Sequence, residues 1–157
     1  MPKIVEMIEI AAPRNRVWEI VSDIDNEPVY WRGTREVKNI TTNGNVIDRE
    51  IYQNFGSHSI TQRVILKPQN EIEIKYLRGI MEGVKYLRLE DTGESKQKVT
   101  AEWDIQFKGV YRLLSPWISR HVRKGTRDAL QRIRDASEGK SVAPLPENTP
   151  TKEKSVS

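Results

Sequence analysis

Residues 111–136 decide the fold, and they read YRLLSPWISRHVRKGTRDALQRIRDA. Apolar and small residues recur there at steps of three and four positions, which predicts one long helix with a single buried face. The members of that face are Leu113, Leu114, Trp117, Ile118, His121, Val122, Gly125, Ala129, Leu130, Ile133 and Ala136. Most arginine and lysine side chains fall on the other faces. Pro116 fits a helix only near its start, so we expect a loose first turn or a kink there.

A helix of this length needs a broad apolar surface to lie on, and the preceding chain contains runs that are typical of strands. Such runs occur at 3–10, 37–41, 46–54, 59–66, 71–78, 84–90 and 99–107. The connections between the last six are too short for parallel crossovers, and the pair Asn43 and Gly44 favours a tight hairpin. The sequence therefore predicts an antiparallel meander.

Two short helices are predicted between the first run and the second. Pro13 suits the first position of a helix, because its missing N–H is not needed there. Residues 23–28, which read DIDNEP, end this helix and offer caps for another. The apolar residues assigned to the two helices are Val17, Trp18, Val21, Ile24, Val29, Tyr30 and Trp31.

The composition indicates one globular domain followed by a polar tail. The 157 residues are 36% hydrophobic and 31% charged, enough for one core, and we assign the domain to residues 1–137. Residues 138–157 are rich in Pro, Ser, Thr, Lys and Glu, which predicts disorder. The absence of cysteine excludes disulfides and thiolate metal sites. Because no signal peptide or long apolar run is recognisable, we expect a cytoplasmic protein.

The charge pattern and the histidine count limit the possible partners and cofactors. A net charge of +4 permits contact with nucleic acid or an anionic membrane, but acidic residues are interspersed with the basic ones. No nucleic-acid partner is expected, because the strands lack a basic and aromatic binding pattern. His58 and His121 lie on separate predicted elements, which argues against an iron site of two histidines and a carboxylate. We predict no metal and no cofactor, since phosphate loops, dinucleotide fingerprints and zinc spacings are also absent.

Three stretches resemble a known superfamily. Residues 8–18, IEIAAPRNRVW, resemble its opening strand and the Ala-Pro start of its first helix. Residues 21–28, VSDIDNEP, together with Trp31, resemble the link between its two short helices. Gly109 and residues 129–134, ALQRIR, resemble the start and body of its closing helix. The chain thus resembles, over residues 3–137, the helix-grip superfamily of START, birch-pollen-allergen and polyketide cyclase proteins, grouped as SRPBCC.

The resemblance implies an α+β helix-grip fold, in which a curved seven-stranded antiparallel sheet wraps around a long C-terminal helix and two short helices follow strand 1. It also implies a cavity between sheet and helix that binds or transports a hydrophobic or amphipathic molecule such as a lipid, quinone or polyketide. Coenzyme-Q-binding and lipid-transfer members act in this way. The alternative is an enzyme of the polyketide cyclase, aromatase or dehydratase type that uses the same cavity.

The inward positions of the predicted strands and helices give the candidate ligand-binding residues. They are Trp31, Tyr76, Arg78, Tyr86, Trp103, Phe107, Trp117 and His121. If the protein is an enzyme, the acid–base candidates are His121, Tyr76, Tyr86 and Arg78, with the carboxylates of Glu50 and Asp48 as additional candidates.

Each candidate also has a purely structural interpretation. The tryptophans can be ordinary core residues. Arg78 ends an apolar alternation, so it either meets an anion in the cavity or reaches solvent at the strand end. His121 can titrate near neutral pH inside a pocket or be a structural histidine.

The last helix offers one further partner. Its basic outer face could contact an anionic membrane. We expect this contact to be weak, because no exposed aromatic residue is predicted on that face.

Overall fold

The computed structural model describes residues 3–54, 59–140 and 142. The strands in this part of the chain are β1 (Ile4–Ile10), β2 (Thr34–Asn43), β3 (Val46–Gln53), β4 (Ser59–Lys67), β5 (Glu71–Arg78), β6 (Met81–Gly93) and β7 (Lys96–Phe107). The α-helices are α1 (Arg14–Val21), α2 (Glu27–Tyr30) and α3 (Ser115–Ser137), and 3-10 turns occur at Ile24–Asn26 and Gly109–Arg112.

All of these strands belong to one antiparallel sheet, whose order is β1-β7-β6-β5-β4-β3-β2. The meander from β2 to β7 follows from the short connections, and β1 adds to the far side of β7 with Ile4 opposite Trp103. The curved sheet and the long helix α3 confirm the predicted α+β helix-grip fold.

A glycine accounts for the early start of β6. The sequence predicts a turn at residues 79–83, but β6 already begins at Met81. Gly83 lies within the strand with φ +124°, and a Cβ there would stand 2.2 Å from the Asp104 carbonyl oxygen of β7. Glycine is therefore needed for the close approach of the two strands, and it does not mark a turn here.

The second half of α3 closes the core. Ala129, Leu130 and Ile133 are fully buried, and α3 packs against β1 and α1. A hydrogen bond adds to the contact with α1, in which Arg16 Nη2 donates to the Ala136 carbonyl at 3.2 Å. Here the predicted buried face is confirmed.

The first half of α3 differs from the prediction. The helix begins at Ser115 with Pro116 in its first turn, as expected, but Leu113 is 82% exposed and Trp117 57% exposed. His121 and Gly125 are also exposed. The prediction that these residues are buried is wrong, because the described sheet and helices do not cover this part of the helix.

The predicted polar tail can be compared with the structure only at its beginning. The predicted tail at 138–157 lies almost entirely outside the described residues, apart from its first few positions. Glu138 remains attached to the domain, since its Oε2 accepts a hydrogen bond from the Ala11 amide at 2.9 Å.

No helix in the described ranges is long and apolar enough to cross a membrane.

Candidate functional site: a cavity between the sheet and the last helix

A cavity of about 420 Å³ lies between the inner face of the sheet and the first half of α3. Its walls come from α2 and the loop after it, from strands β2 to β7, and from residues 117–128 of α3. Most of the wall is apolar, with Ile51, Ile74 and Met81 contributing from three different strands. The volume falls in the range of small-molecule sites, roughly 300–1,000 Å³.

Five of the predicted site residues line this cavity, namely Trp31, Tyr76, Trp103, Trp117 and His121. Their role in ligand binding stays a prediction. Trp103 and Tyr76 are buried, whereas Trp117 and His121 form part of the exposed rim. The rings of Trp117 and His121 contact each other edge to face at 4.2 Å between centroids.

The other three predicted residues lie elsewhere. Phe107 is buried in the core but is not part of the cavity wall. Arg78 is exposed at the end of β5, because β5 has an extra residue, Leu77, opposite Thr61 and Gln62 of β4, and this bulge shifts the pairing beyond Tyr76. The expectation that it points inward is wrong.

The prediction that Tyr86 points inward is also wrong. In β6 the buried residues are Met81, Lys85, Leu87 and Leu89, so the tyrosine faces outward, where the Arg88 guanidinium lies 4.3 Å from its ring centroid. The sequence alternation is ambiguous here, because a lysine occupies an inner position and a tyrosine an outer one.

The carboxylates considered for catalysis are not cavity residues. Asp48 accepts a hydrogen bond from Arg63 Nε at 2.8 Å, and it is partly exposed and does not line the cavity. Glu50 accepts from the Tyr52 hydroxyl at 3.2 Å and does not line the cavity. His58 lies outside the described residues.

A buried polar network forms the base of the cavity, and sequence reasoning did not identify it. Arg49 of β3 is fully buried and donates from Nε to Gln62 Oε1 at 3.0 Å and from Nη1 to the Ile24 carbonyl at 3.0 Å. Its Nη2 forms a salt bridge with Glu27 Oε1. The other carboxylate oxygen of Glu27 accepts from the Thr34 hydroxyl at 2.6 Å. One signal in the sequence could have revealed this network: Arg49 is spaced two residues from both Ile47 and Ile51, so it shares their inward face.

This network controls the protonation of its members. Burial acts to raise the pKa of Glu27, but Arg49, Lys85 and Thr34 together bring it below its usual value. Glu27 is therefore an anion at neutral pH. Burial, with a contribution from Glu27, raises the pKa of Tyr76, so that its hydroxyl stays protonated.

Lys85 of β6 is the second cation at the base of the cavity. It is 5% exposed, and its Nζ lies 3.2 Å from the Trp31 ring centroid and 4.3 Å from that of Trp103. Burial lowers the pKa of Lys85 to about 7, while Glu27 acts to raise it and Arg49 to lower it further. The ammonium is favoured by the two indole faces. This group can therefore exchange a proton near neutral pH.

The aromatic wall around Lys85 is held by contacts between rings and by α3. Trp31 and Trp103 meet edge to face at 6.2 Å, and Tyr76 stacks on Trp103 at 6.3 Å between centroids. Trp103 Nε1 donates to the Thr126 hydroxyl at 3.0 Å, which in turn donates to the Val122 carbonyl at 2.6 Å. These contacts fix the indole of Trp103 between core and cavity.

The site has no metal-binding arrangement in the described residues. No group of three or more His, Asp or Glu side chains in residues 3–54 and 59–140 is placed to hold a metal ion. The titratable side chains that line the cavity are instead Glu27, Arg32, Tyr76, Lys85, His121, Lys124 and Asp128, and the buried Arg49 pairs with Glu27.

The match to a known family covers the whole described domain. Residues 1–138 match the sequence profile of the family described as polyketide cyclase / dehydrase and lipid transport. The chain belongs to this family. Membership confirms the resemblance to the helix-grip superfamily that the sequence motifs indicated. No curated protein sequence matches the chain significantly.

Several solved structures have a fold similar to that of this chain. The Zhui aromatase/cyclase from Streptomyces is 14% identical with a TM-score of 0.72, over 87% of this chain and 93% of that one. A protein from Thermus thermophilus is 12% identical with a TM-score of 0.69, over 87% and 99%. The di-domain aromatase/cyclase StfQ of the steffimycin pathway is 13% identical with a TM-score of 0.69, over 87% and 50%. At these identities the likeness shows a shared fold.

Proposed function

We propose that this protein binds a hydrophobic or amphipathic small molecule in the cavity between its sheet and α3, as a carrier or sensor. The observation that carries the proposal is an apolar cavity of about 420 Å³ beside a well-packed core. Apolar walls with a few polar groups at one end are typical of ligand pockets. The flat faces of Trp31 and Trp103 suit an aromatic or unsaturated ligand.

The test is native mass spectrometry of freshly purified protein, followed by organic extraction of whatever is released. A retained lipid, quinone or aromatic compound supports the proposal and names the ligand class. The contrary result is an empty protein that also takes up none of these compounds when they are added. The cavity would then not be a binding site for apolar molecules.

A carrier must exchange its ligand, and the rim suggests where. Val110, Leu113, Leu114 and Trp117 are exposed apolar residues at the start of α3, with exposed Arg112 and Arg120 nearby. An exposed tryptophan among apolar and basic residues is typical of a surface that binds anionic lipid headgroups. We therefore propose that this rim docks on an anionic membrane more firmly than the sequence suggested, since Trp117 was expected to be buried.

Vesicle co-sedimentation tests this contact directly. Phosphatidylserine-containing vesicles should retain the protein, and Trp117→Ser should lower the retained fraction several-fold. Met7→Ser is the matched control, because Met7 is also a large exposed apolar residue but lies on β1, away from the rim. Equal retention of both variants and the unmodified protein would rule the rim out.

A cyclase or dehydratase is the second candidate, and Lys85 is the observation that favours it. A buried amine with a pKa of about 7 can remove and return protons in ring closure and loss of water. The protein's likeness to aromatase/cyclases is consistent with such a reaction, although fold alone does not establish activity.

Incubation with a synthetic poly-β-ketone separates the two candidates. An enzyme should convert it to products that have lost one water per aromatised ring, and Lys85→Met should remove this turnover. If the compound binds and is recovered unchanged, the binding proposal stands and the enzyme candidate is wrong.

A further inference from the structure

The base of the cavity holds three buried charged side chains whose charges do not balance. Glu27 and Arg49 neutralise each other through their salt bridge. Both carboxylate oxygens of Glu27 are engaged, one by Arg49 and the other by Thr34. Arg49 also donates to Gln62 and to the Ile24 carbonyl. This pair is satisfied, and Lys85 is left as an additional positive charge.

Within the described ranges, Lys85 Nζ forms no hydrogen bond or salt bridge to an oxygen atom. It contacts the two indole faces and interacts electrostatically with the Glu27 and Arg49 charges. An aromatic face attracts an ammonium group but accepts none of its three N–H bonds conventionally. A buried cation with unused donors is costly unless an acceptor reaches it. Because Lys85 lines the cavity, a molecule in the cavity can supply that acceptor.

We propose that the ligand carries an anionic oxygen, such as a carboxylate, that pairs with Lys85 Nζ while its apolar body lies against Trp31 and Trp103. This inference rests on the proposed function, because it specifies the ligand of the same cavity. With the anion in place, the base contains two positive and two negative groups and becomes neutral. A neutral ligand of the same shape leaves the donors of Lys85 unused.

The groups around Lys85 give the proposal a second consequence. Glu27 faces it from α2 and Arg49 from β3, and the ring of Tyr76 on β5 stacks on the neighbouring Trp103. Arg32 also lines the cavity, from the loop after α2. From α3, the nearby wall residue Thr126 has no titratable group, while His121, Lys124 and Asp128 lie toward the rim. The pKa of Lys85 is about 7, so an arriving anion should make it take up a proton in mildly alkaline buffer.

The test uses matched acids and alcohols that compete with the neutral fluorescent probe N-phenylnaphthylamine. Naphthoate is compared with naphthalenemethanol, and decanoate with decanol, at about pH 6, where the carboxylic acids are ionised. A charge-assisted hydrogen bond should make the acid of at least one pair bind roughly 10-fold or more tightly than its alcohol. The first pair favours an aromatic body and the second an aliphatic one.

Two variants locate the effect. Lys85→Met keeps the apolar shape and should reduce the acid-to-alcohol ratio to about one. Lys75→Met removes an exposed lysine from the outward face of β5 and should leave the ratio unchanged. Titration calorimetry at about pH 8 in buffers of different ionisation enthalpy should show proton uptake with the acid, and none with Lys85→Met.

The outcomes separate this inference from the proposed function. If the probe binds and acids and alcohols displace it equally, or no acid displaces it, the anionic ligand is wrong while the cavity still binds. If Lys85→Met retains the preference for acids, the anchor is not Lys85. If the probe and all four compounds fail to bind, the proposed function itself is overturned.

Discussion

The two halves of α3 belong to one continuous helix but have different surroundings. In residues 126–137, five side chains are buried, and hydrogen bonds join this half to β1 through Arg127 and Glu6 and to α1 through Arg16. In residues 115–125, Ile118 is the one buried side chain, and the helix runs along the cavity. The short helix α2 contacts the second half, since the Arg132 guanidinium donates to the Tyr30 carbonyl at 2.9 Å.

This difference shows how the fold produces a cavity without a break in the helix. Small and branched residues, such as Ala129 and Ile133, allow the second half to lie close to the sheet. Toward the first half, the sheet presents the large groups Trp103, Tyr76 and Lys85, and the helix presents Gly125. Interiors are close-packed wherever side chains can interdigitate, so the cavity persists where the wall is rigid and the facing position lacks a side chain.

The largest effect on stability is expected from a substitution in the buried polar network at the base of the cavity. Arg49→Met should lower the free energy of unfolding by about 3–5 kcal/mol, because it leaves the Glu27 carboxylate buried without its cation. Chemical denaturation measures the loss. The double variant Glu27→Gln with Arg49→Met should recover most of it. A double variant no more stable than Arg49→Met would mean that the pair itself is not the source of the loss.

Truncation of leucines tests the contrast between the halves of α3. Leu130→Ala should cost about 2–5 kcal/mol, because it leaves a void in the packed half. Leu113→Ala removes the same atoms at the entrance to the first half, where the side chain is 82% exposed, and should change the stability by about 0.5 kcal/mol or less. Similar losses for the two variants in urea denaturation would contradict the contrast.

The pH dependence of stability reports on Lys85. Its pKa is about 7 in the folded protein and 10.5 when unperturbed, so between these values the unfolded chain binds more protons. The free energy of unfolding should therefore rise by about 1–3 kcal/mol from pH 7 to pH 9.5. Lys85→Met should lack this rise and be the more stable protein at pH 7. An identical pH profile in both proteins would place the lysine in a hydrated environment.

The sequence was sufficient for the fold because hydrophobic alternation depends on local backbone geometry. The run that became β7 predicted Trp103, Ile105 and Phe107 as inward residues, and all three are buried. The amphipathic pattern of residues 126–136 likewise matches the buried half of α3.

The site was predicted only in part. The interpretation of an alternating strand assumes that its inward residues are apolar, and the charged residues of the site do not follow this rule. Arg49 and Lys85 occupy inner positions of β3 and β6 and are stabilised by partners far away in sequence, which a local pattern does not reveal. The pattern also identifies residues that can be buried without showing whether another element covers them. For this reason Leu113 and Trp117 were assigned to the core and are exposed.

Gly125 offers the most direct test of the claim that the uncovered half of α3 forms a ligand cavity. A Cβ at this position would meet no other atom within 4 Å, so a side chain can be added there without a clash. Gly125→Ala should raise stability by about 0.5–1 kcal/mol through helix propensity alone, and Gly125→Phe should place a ring across the cavity.

The measurement is the binding of N-phenylnaphthylamine to these two variants and to the unmodified protein. We expect Gly125→Ala to bind as the unmodified protein does, and Gly125→Phe to lose at least 10-fold in affinity while unfolding cooperatively. Undiminished binding to a folded Gly125→Phe would show that apolar molecules attach elsewhere, and it would contradict the assignment of this cavity as the functional site.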